Sequence, residues 1–535
     1  MLYDAAHVVS KNLPQSSVKT PSTFNIKIMS MKVMIFITII LILAAIVAYV
    51  NAIALLHGGT ILDSVFSILF IFSVVFFGVH SIGYYLNTIR SIEKYPNTVT
   101  RNTYIYSKSQ VAVLVPMYNE PMDMLSMNLP AVVNASKGLA VVYVLDDSTN
   151  PESRKNIKNF CDNMGVQYIH RENRRGYKAG ATNDILPVLK EEFVCILDAD
   201  QMPDPSFLRE VLPFLQNDPN LALVQVPQEY TNLDASLLSR AAQAQQIIFY
   251  DVITEGKSTL GTLFSCGTNI VYRKEALLSV GGFDENSITE DLATSVDMHM
   301  KGWKTFYYNK KLVYGRAPTE LAAYFNQQWR WAFGTMQCFK KIFNKVLKNK
   351  SFSLAYKFDY FLSTSWYLSG WAYLIQMISP VAFLLFNIRP LNLDLTTYLL
   401  FLLPYSLFTL GTFLLTFIKS GNSLKSVFYN TSMNIISFPI TTGASIQALR
   451  GKAKPFVTAR TGSSVSWRSL WPQLLLITLL TTSIVKGILF DLQSWFTIVN
   501  IVGAGFHLAM LIPIFKINSA PKDSSLDSKI LSLKN

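Results

Sequence analysis

Apolar residues follow two patterns along this chain. At both ends they form long unbroken runs, and in the middle they form short blocks that stop at acidic residues. The long runs cover 33–56 and 65–86, then 361–388, 395–418, 470–490 and 495–515. Each reaches about the 20 residues a helix needs to cross a bilayer. The first begins after about 30 residues, too late and too long for a cleaved signal peptide. Six retained spans are expected. A further stretch, 427–449, is apolar but rich in Ser, Thr and Asn and contains Pro439. It reads as a helix lying along the membrane surface, with a seventh span as the alternative.

Between the runs, 111–115, 141–145, 166–169, 193–197 and 221–226 are compact apolar blocks, and helix-like stretches such as 153–164 separate them. Strands alternating with helices predict a mostly parallel sheet covered on both faces. The expected organisation is a polar tail over 1–30, two membrane helices over 31–90 and an α/β domain over 91–350. Then come about four membrane helices over 351–518, with a surface helix and loop at 419–469, and a tail over 519–535.

Composition sharpens this division. Only 15% of the 535 residues are charged and 50% are hydrophobic, against about 25% charge in an ordinary soluble domain. The net charge of +13 does not mark nucleic-acid binding, because its location follows the positive-inside pattern. Lys419, Lys425, Arg450, Lys452, Lys454, Arg460 and Arg468 crowd one inter-span segment, whereas 57–64 and 491–494 hold no Lys or Arg. That places the α/β domain and both tails in the cytoplasm, with the helices in the plasma membrane. Cys161, Cys195, Cys266 and Cys338 lack metal-ligand spacing and read as reduced structural thiols. There is no Gly-x-Gly-x-x-Gly and no P-loop, so hydride transfer and P-loop chemistry lack their marks.

Three acidic clusters carry the candidate chemistry. Asp146-Asp147 and Asp198-Ala199-Asp200 each follow an apolar block, and Thr289-Glu290-Asp291 precedes a helix-like stretch at 292–301. Carboxylates at the carboxyl ends of parallel strands lie where open α/β sheets bind ligands. Asp198 and Asp200, on alternate residues, could share one divalent cation with a diphosphate. Asp-x-Asp is also common in surface turns, and Glu290-Asp291 suits a helix first turn. Asp291 is the candidate general base on an acceptor hydroxyl. Lys178, within Arg174-Arg175-Gly176-Tyr177-Lys178-Ala179-Gly180, is the candidate phosphate contact. Gln327, Arg330 and Trp331 stand at i, i+3 and i+4, on one helical face. Trp331 suits an acceptor sugar, and Trp329 an interfacial belt.

Together these residues resemble the membrane-bound processive family 2 glycosyltransferases, whose best-known member is cellulose synthase. That family has three spaced aspartate motifs and Gln-x-x-Arg-Trp, and all four occur here in order, within about 111–341. Tyr118-Asn119-Glu120, Lys178-Ala179-Gly180, Phe264-Ser265-Cys266-Gly267-Thr268-Asn269 and Gly315-Arg316-Ala317-Pro318 agree as well. The resemblance implies a GT-A domain on a membrane channel. It implies a nucleotide-sugar donor (UDP- or GDP-hexose), Mg²⁺ or Mn²⁺, and inversion at the anomeric carbon. It puts Tyr118, Glu120 and Asp147 on the base and ribose, with Asp146 beside them. Asp198 and Asp200 would hold diphosphate and metal, with Glu290 and Lys178 also in the donor site. Asp291 would be the base. Gln327, Arg330 and Trp331 would hold diphosphate and acceptor, and Cys266, Gly267 and Thr268 would line the acceptor entrance.

The chain departs from the family in places. The gating segment Phe-x-Val-Thr-x-Lys becomes Pro455-Phe456-Val457-Thr458-Ala459-Arg460. About 20 residues follow Phe515, too few for a cyclic-dinucleotide-sensing barrel. The sequence expects a polysaccharide acceptor, glucan or mannan, and surrounding lipid. It leaves open a hyaluronan- or chitin-type product, single-sugar transfer to a lipid carrier, a nucleotide-regulated transporter, and a homo-oligomer or accessory subunit. A transporter is disfavoured because Lys486 is the main ionisable group in the spans.

Overall fold

In the computed structural model, residues 60–92, 110–390, 394–419, 423–451 and 464–519 are described, with isolated residues before 60. Among the described residues, ten strands form the α/β part: β1 Val111–Met117, β2 Ala140–Asp146, β3 Gln167–His170, β4 Phe193–Ile196, β5 Met202–Pro203, β6 Leu221–Gln225, β7 Gln228–Tyr230, β8 Ile270–Arg273, β9 Lys304–Tyr307 and β10 Val313–Gly315. Seven make one sheet in the order β3-β2-β1-β4-β8-β6-β9, and β5-β10-β7 make a second. The large sheet is mostly parallel, as expected. The exception is β8, which runs antiparallel to both β4 and β6.

Alternation along β1 explains the layering. Val111, Val113, Val115 and Met117 enter one apolar core, while Ala112 and Leu114 enter another on the opposite face. Successive strand residues point to opposite faces, and here both faces are covered. The inner strands β4, β6 and β8 are therefore buried at every position, whereas the edge strand β3 alternates between exposed and half-buried residues.

Register then sets the ends of the strands. β1 pairs with β2 so that Met117 lies opposite Asp146, and with β4 so that Leu114 lies opposite Ile196. Tyr118–Glu120, Asp147 and Asp198–Asp200 therefore leave the same edge of the sheet side by side.

Among the described residues, four helices are long and apolar enough to cross a membrane: Ile61–Ile92, Leu354–Phe386, Trp471–Phe490 and Trp495–Ile517. The expected run at 33–56 and the gating-like segment at 454–460 lie outside the described residues. The run at 395–418 is not one regular helix. It forms a π-helical turn, Tyr398–Leu402, followed by Leu403–Lys419.

The ambiguous stretch resolves into two helices, Leu424–Ile436 and Phe438–Leu449, of 13 and 12 residues. They break at Ser437, ahead of Pro439, and neither has the length of about 20 residues that spanning requires. The second packs against the long helix Leu321–Lys348, where Ala332, Phe333 and Ala444 form one apolar cluster.

Candidate active site

The site grows from three strand ends and two helices. At the end of β2, Asp146 is 1% exposed and both its oxygens are engaged within the protein. Oδ1 accepts from the Ser148 amide (2.9 Å) and Oδ2 from the Tyr168 hydroxyl (2.8 Å). Asp147 accepts two bonds from Arg171, at 2.6 and 2.7 Å. Such bidentate pairing fixes a carboxylate plane more firmly than one bond can. Arg171 also reaches Arg175 O (2.8 Å) and Asp184 (3.1 Å), so it folds the basic loop back over the strand end. Arg174 then lies 3.4 Å from the centroid of the Tyr118 ring. A cleft of about 460 Å³ opens beside them, lined by Asn119, Glu120, Asn150, Glu152 and Ser153 among others.

Glu120 faces the next acidic cluster. Burial, then the charges of Asp200 and Asp198, push its pKa up to about 7. Burial and the neighbouring Asp198 likewise hold Asp200 above the usual carboxylate range, at about 6. Lys178 ion-pairs with Asp198 and donates to the Gly267 carbonyl at 2.9 Å. Burial opposes its charge, but Asp198, Glu290 and Asp291 together raise its pKa. One ammonium thus answers three carboxylates drawn from two separate parts of the chain.

Glu290 and Asp291 open the helix Glu290–Met300. The Asp291 Oδ1 accepts from the Leu292 amide (2.8 Å). A Cβ built on Gly267 would approach its Oδ2 to 3.2 Å, so the carboxylate sits against the Cys266–Thr268 loop. Burial raises Asp291 to about 6 and, with the Asp291 charge, Glu290 to about 7. In the same loop, burial pushes the Cys266 thiol above its ordinary range.

The helix Leu321–Lys348 closes the crevice. Gln327 lies near the Tyr230 hydroxyl, which accepts from Gln246 at 3.0 Å. Arg330 is largely withdrawn from water, which lowers its pKa against the opposing pull of Asp198, Glu290 and Asp200. Trp331 is half-buried one residue on. Trp329 is half-buried, and its ring stacks on Phe333 with centroids 4.9 Å apart.

Gly334 brings this helix onto the acidic turn. A Cβ there would meet Thr289 Cγ2 at 2.6 Å and Thr289 N at 3.0 Å. Gly334→Val is expected to cost about 1–3 kcal/mol through overpacking. It should also reduce activity by moving Glu290 and Asp291, checked by a denaturant midpoint together with turnover.

Three supports were absent from the sequence reading. Arg171 had a signal, a cation directly after a strand whose neighbour ends in two aspartates. Gln225 had another: a fully buried polar residue closing an apolar strand must find partners. It donates to Thr268 O (2.8 Å) and accepts from the Cys266 amide (3.0 Å), shaping the 266–268 loop. The third, Gln201 with Asn269, depends on chain segments meeting across β4 and β8 and had no local signal.

Comparison with known proteins agrees with this geometry. The description "Glycosyl transferase family group 2" matches residues 193–416. The chain carries a family 2 glycosyltransferase domain. A rice protein named probable glucomannan 4-beta-mannosyltransferase 7 is 30% identical over 371 residues, 66% of this chain and 62% of that one. The cellulose synthase catalytic subunit of Pseudomonas fluorescens (strain SBW25) is 30% identical over 304 residues, covering 55% of this chain and 40% of that protein. The matches therefore span less than two thirds of these relatives' length. A mannosyltransferase from Pyrobaculum calidifontis, solved with GDP-Man and Mn²⁺, superposes with a TM-score of 0.51 at 17% identity, covering 72% of this chain and 100% of that one. That likeness bears on the fold, which is GT-A-like.

Among the described residues, no three His, Cys, Asp or Glu side chains gather closely enough to hold a cation alone. Asp198 and Asp200 nonetheless fit Mg²⁺ or Mn²⁺. Such ions are held by one or two carboxylates plus substrate phosphates, and Asp198 already attracts an ammonium.

Proposed function

We propose that this chain is an inverting, metal-dependent hexosyltransferase that adds sugars from a nucleotide donor to a β-linked polysaccharide and passes the product through its membrane helices. One observation carries the reading. Asp198, Asp200, Asp291, Lys178 and Arg330 come from distant segments yet act on one another electrostatically in a single crevice. The names of the relatives, glucomannan 4-beta-mannosyltransferase and cellulose synthase, favour mannose or glucose over other hexoses. The solved neighbour's GDP-Man and Mn²⁺ make GDP-mannose the first donor to test.

The residues then take distinct parts. Tyr118 and Asp147 with Arg171 form the wall for base and ribose, and Asp146 holds the turn. Asp198 and Asp200 hold a divalent ion, which would neutralise the diphosphate as it departs. Lys178 and Arg330 face the phosphates. Asp291 takes the proton from the acceptor hydroxyl. The hydroxyl oxygen bonds to the anomeric carbon from the side opposite the phosphate, and the carbon–phosphate oxygen bond breaks with its electron pair. One displacement inverts the centre, so no second carboxylate nucleophile is required. Gln327, Trp331 and the Cys266–Thr268 loop hold the acceptor end. The basic inter-span segments support a cytoplasmic α/β domain at the plasma membrane.

The test is purified protein in lipid with a panel of GDP- and UDP-sugars, followed by product sizing and linkage analysis. A polymer from one donor supports the reading. A single transferred sugar would replace polymerisation by transfer to a lipid carrier, and no nucleoside diphosphate release from any donor would end it.

The raised pKa of Asp291 sets a pH dependence. A base must be unprotonated, and burial keeps the proton on this carboxyl up to about pH 6, above the usual aspartate range near 4. Turnover is expected to be level above about pH 7 and to fall toward tenfold per unit below about 6. Initial rates at saturating donor would show it, and an acid limb near pH 4 would remove the raised-base assignment.

A further inference from the structure

A chain of hydrogen bonds runs from the Asp198 backbone amide to the Asp200 carboxylate by a route outside the Asp198-x-Asp200 motif. The Asp198 amide donates to Thr268 Oγ1 (2.9 Å), and that hydroxyl donates to Asn269 Oδ1 (3.2 Å). Asn269 Nδ2 donates to Gln201 Oε1 (3.2 Å), and Gln201 Nε2 donates to Asp200 Oδ1 (2.8 Å). Gln201 is 1% exposed and Asn269 fully buried. Each amide is therefore oriented by the other, since reversing either would set like groups face to face in a buried site.

The backbone holds the same arrangement. Asn269 has φ +59, in the left-handed region that asparagine enters more readily than most residues. On the far side, Gly315 packs closely: a Cβ there would lie 2.7 Å from Gln228 Nε2, 2.8 Å from Gln201 Nε2 and 3.0 Å from Gln201 Oε1. The Gln201 amide is confined between a glycine and a carboxylate. A buried glutamine whose only task was to satisfy its own polar atoms would need neither confinement nor a charged partner.

We propose that Gln201 is a positioning residue that fixes the Asp200 carboxylate for the divalent ion, and that Asn269 fixes Gln201 in turn. This rests on the reading of Asp198 and Asp200 as the metal–diphosphate site. Partners of this kind typically govern 10- to 100-fold in metal affinity. Because Asn269 continues from the Cys266–Thr268 loop, the relay also ties the Asp200 carboxylate to the wall assigned to the acceptor.

The experiment measures Mn²⁺ binding to the full-length protein in detergent, with GDP or UDP present, from the electron paramagnetic resonance signal of free Mn²⁺. Gln201→Leu is expected to weaken Mn²⁺ by at least about tenfold, with nucleoside diphosphate binding without metal unchanged. Asn269→Gly keeps the left-handed backbone while removing the amide, and should weaken Mn²⁺ less. The double variant should be no weaker than Gln201→Leu, because one relay cannot be broken twice. Gln201→Glu should also weaken Mn²⁺, since a carboxylate repels Asp200. Unchanged affinity in Gln201→Leu, or fully additive losses, would overturn the positioning role. Tighter binding in Gln201→Glu would overturn it as well, by showing a side chain that reaches the ion. Absence of Mn²⁺ binding by the unaltered protein would remove the metal reading and this inference with it.

Discussion

Asp291→Asn is expected to lower sugar transfer by about 10²–10⁴-fold, the range general-base catalysis contributes, while leaving donor binding nearly intact. The substitution is close to isosteric. Asparagine still offers an oxygen to the Leu292 amide, which the Asp291 carboxylate now accepts at 2.8 Å, so the helix start should persist. What disappears is basicity. Burial lifts the Asp291 pKa to about 6, making it a stronger base than an exposed aspartate yet still ionised at neutral pH. The donor contacts assigned here, Asp147, Lys178, Asp198 and Arg330, are separate side chains. Single-turnover release of nucleoside diphosphate and equilibrium binding of a non-hydrolysable donor separate the two effects. Equal loss of both would take the base role from Asp291. Glu290 is the natural control, because it shares the helix start and its raised pKa reflects burial and then the charge of Asp291. Glu290→Gln should cost transfer less.

The reach of the sequence follows from the distance over which each feature is encoded. Strand ends were legible because apolar blocks stop where the chain leaves the core, so Asp146, Asp198 and Asp200 could be placed from local pattern alone. The common face of Gln327, Arg330 and Trp331 was legible from helical spacing. Asp146 was grouped with the ligand contacts, but the bonds from Ser148 and Tyr168 engage both of its oxygens. Pattern cannot show that, since it records where a carboxylate stands and not what meets it. The Cys266–Asn269 loop reaches Asp198 because β8 inserts antiparallel between β4 and β6. Nothing within β8 announces that order. Arg171, Gln225 and Gln201 owe their roles to such long-range registers. Trp329, assigned to the membrane surface by composition, is half-buried and stacks on Phe333 one turn along the same helix. The four helices long and apolar enough to cross a membrane were legible wherever length alone decides. The short pair Leu424–Ile436 and Phe438–Leu449 divides at Ser437, ahead of Pro439, so neither helix alone reaches spanning length.

Asp200→Ala is expected to weaken metal-dependent donor binding by more than about 100-fold. Loss of a residue that merely orients a ligand typically costs 10- to 100-fold, and a direct ligand should exceed that. The structure also predicts an asymmetry between the two aspartates. Asp198 is ion-paired with Lys178, so its removal frees a half-buried ammonium to approach the phosphates and offsets part of the loss. Asp200 has no such partner to release: its Oδ1 accepts from Gln201, and burial and Asp198 hold its pKa at about 6. Removing it relieves the repulsion felt by Glu120, whose own pKa of about 7 owes more to Asp200 than to Asp198. Asp198→Ala should therefore retain more metal-independent nucleotide affinity than Asp200→Ala. Titrations of nucleoside diphosphate with Mn²⁺ and with a chelator, run on both variants, separate the two contributions. Unchanged metal dependence in Asp200→Ala would place the ion on other residues. Equal behaviour of the two variants would mean that Lys178 does not exchange its carboxylate partner for phosphate.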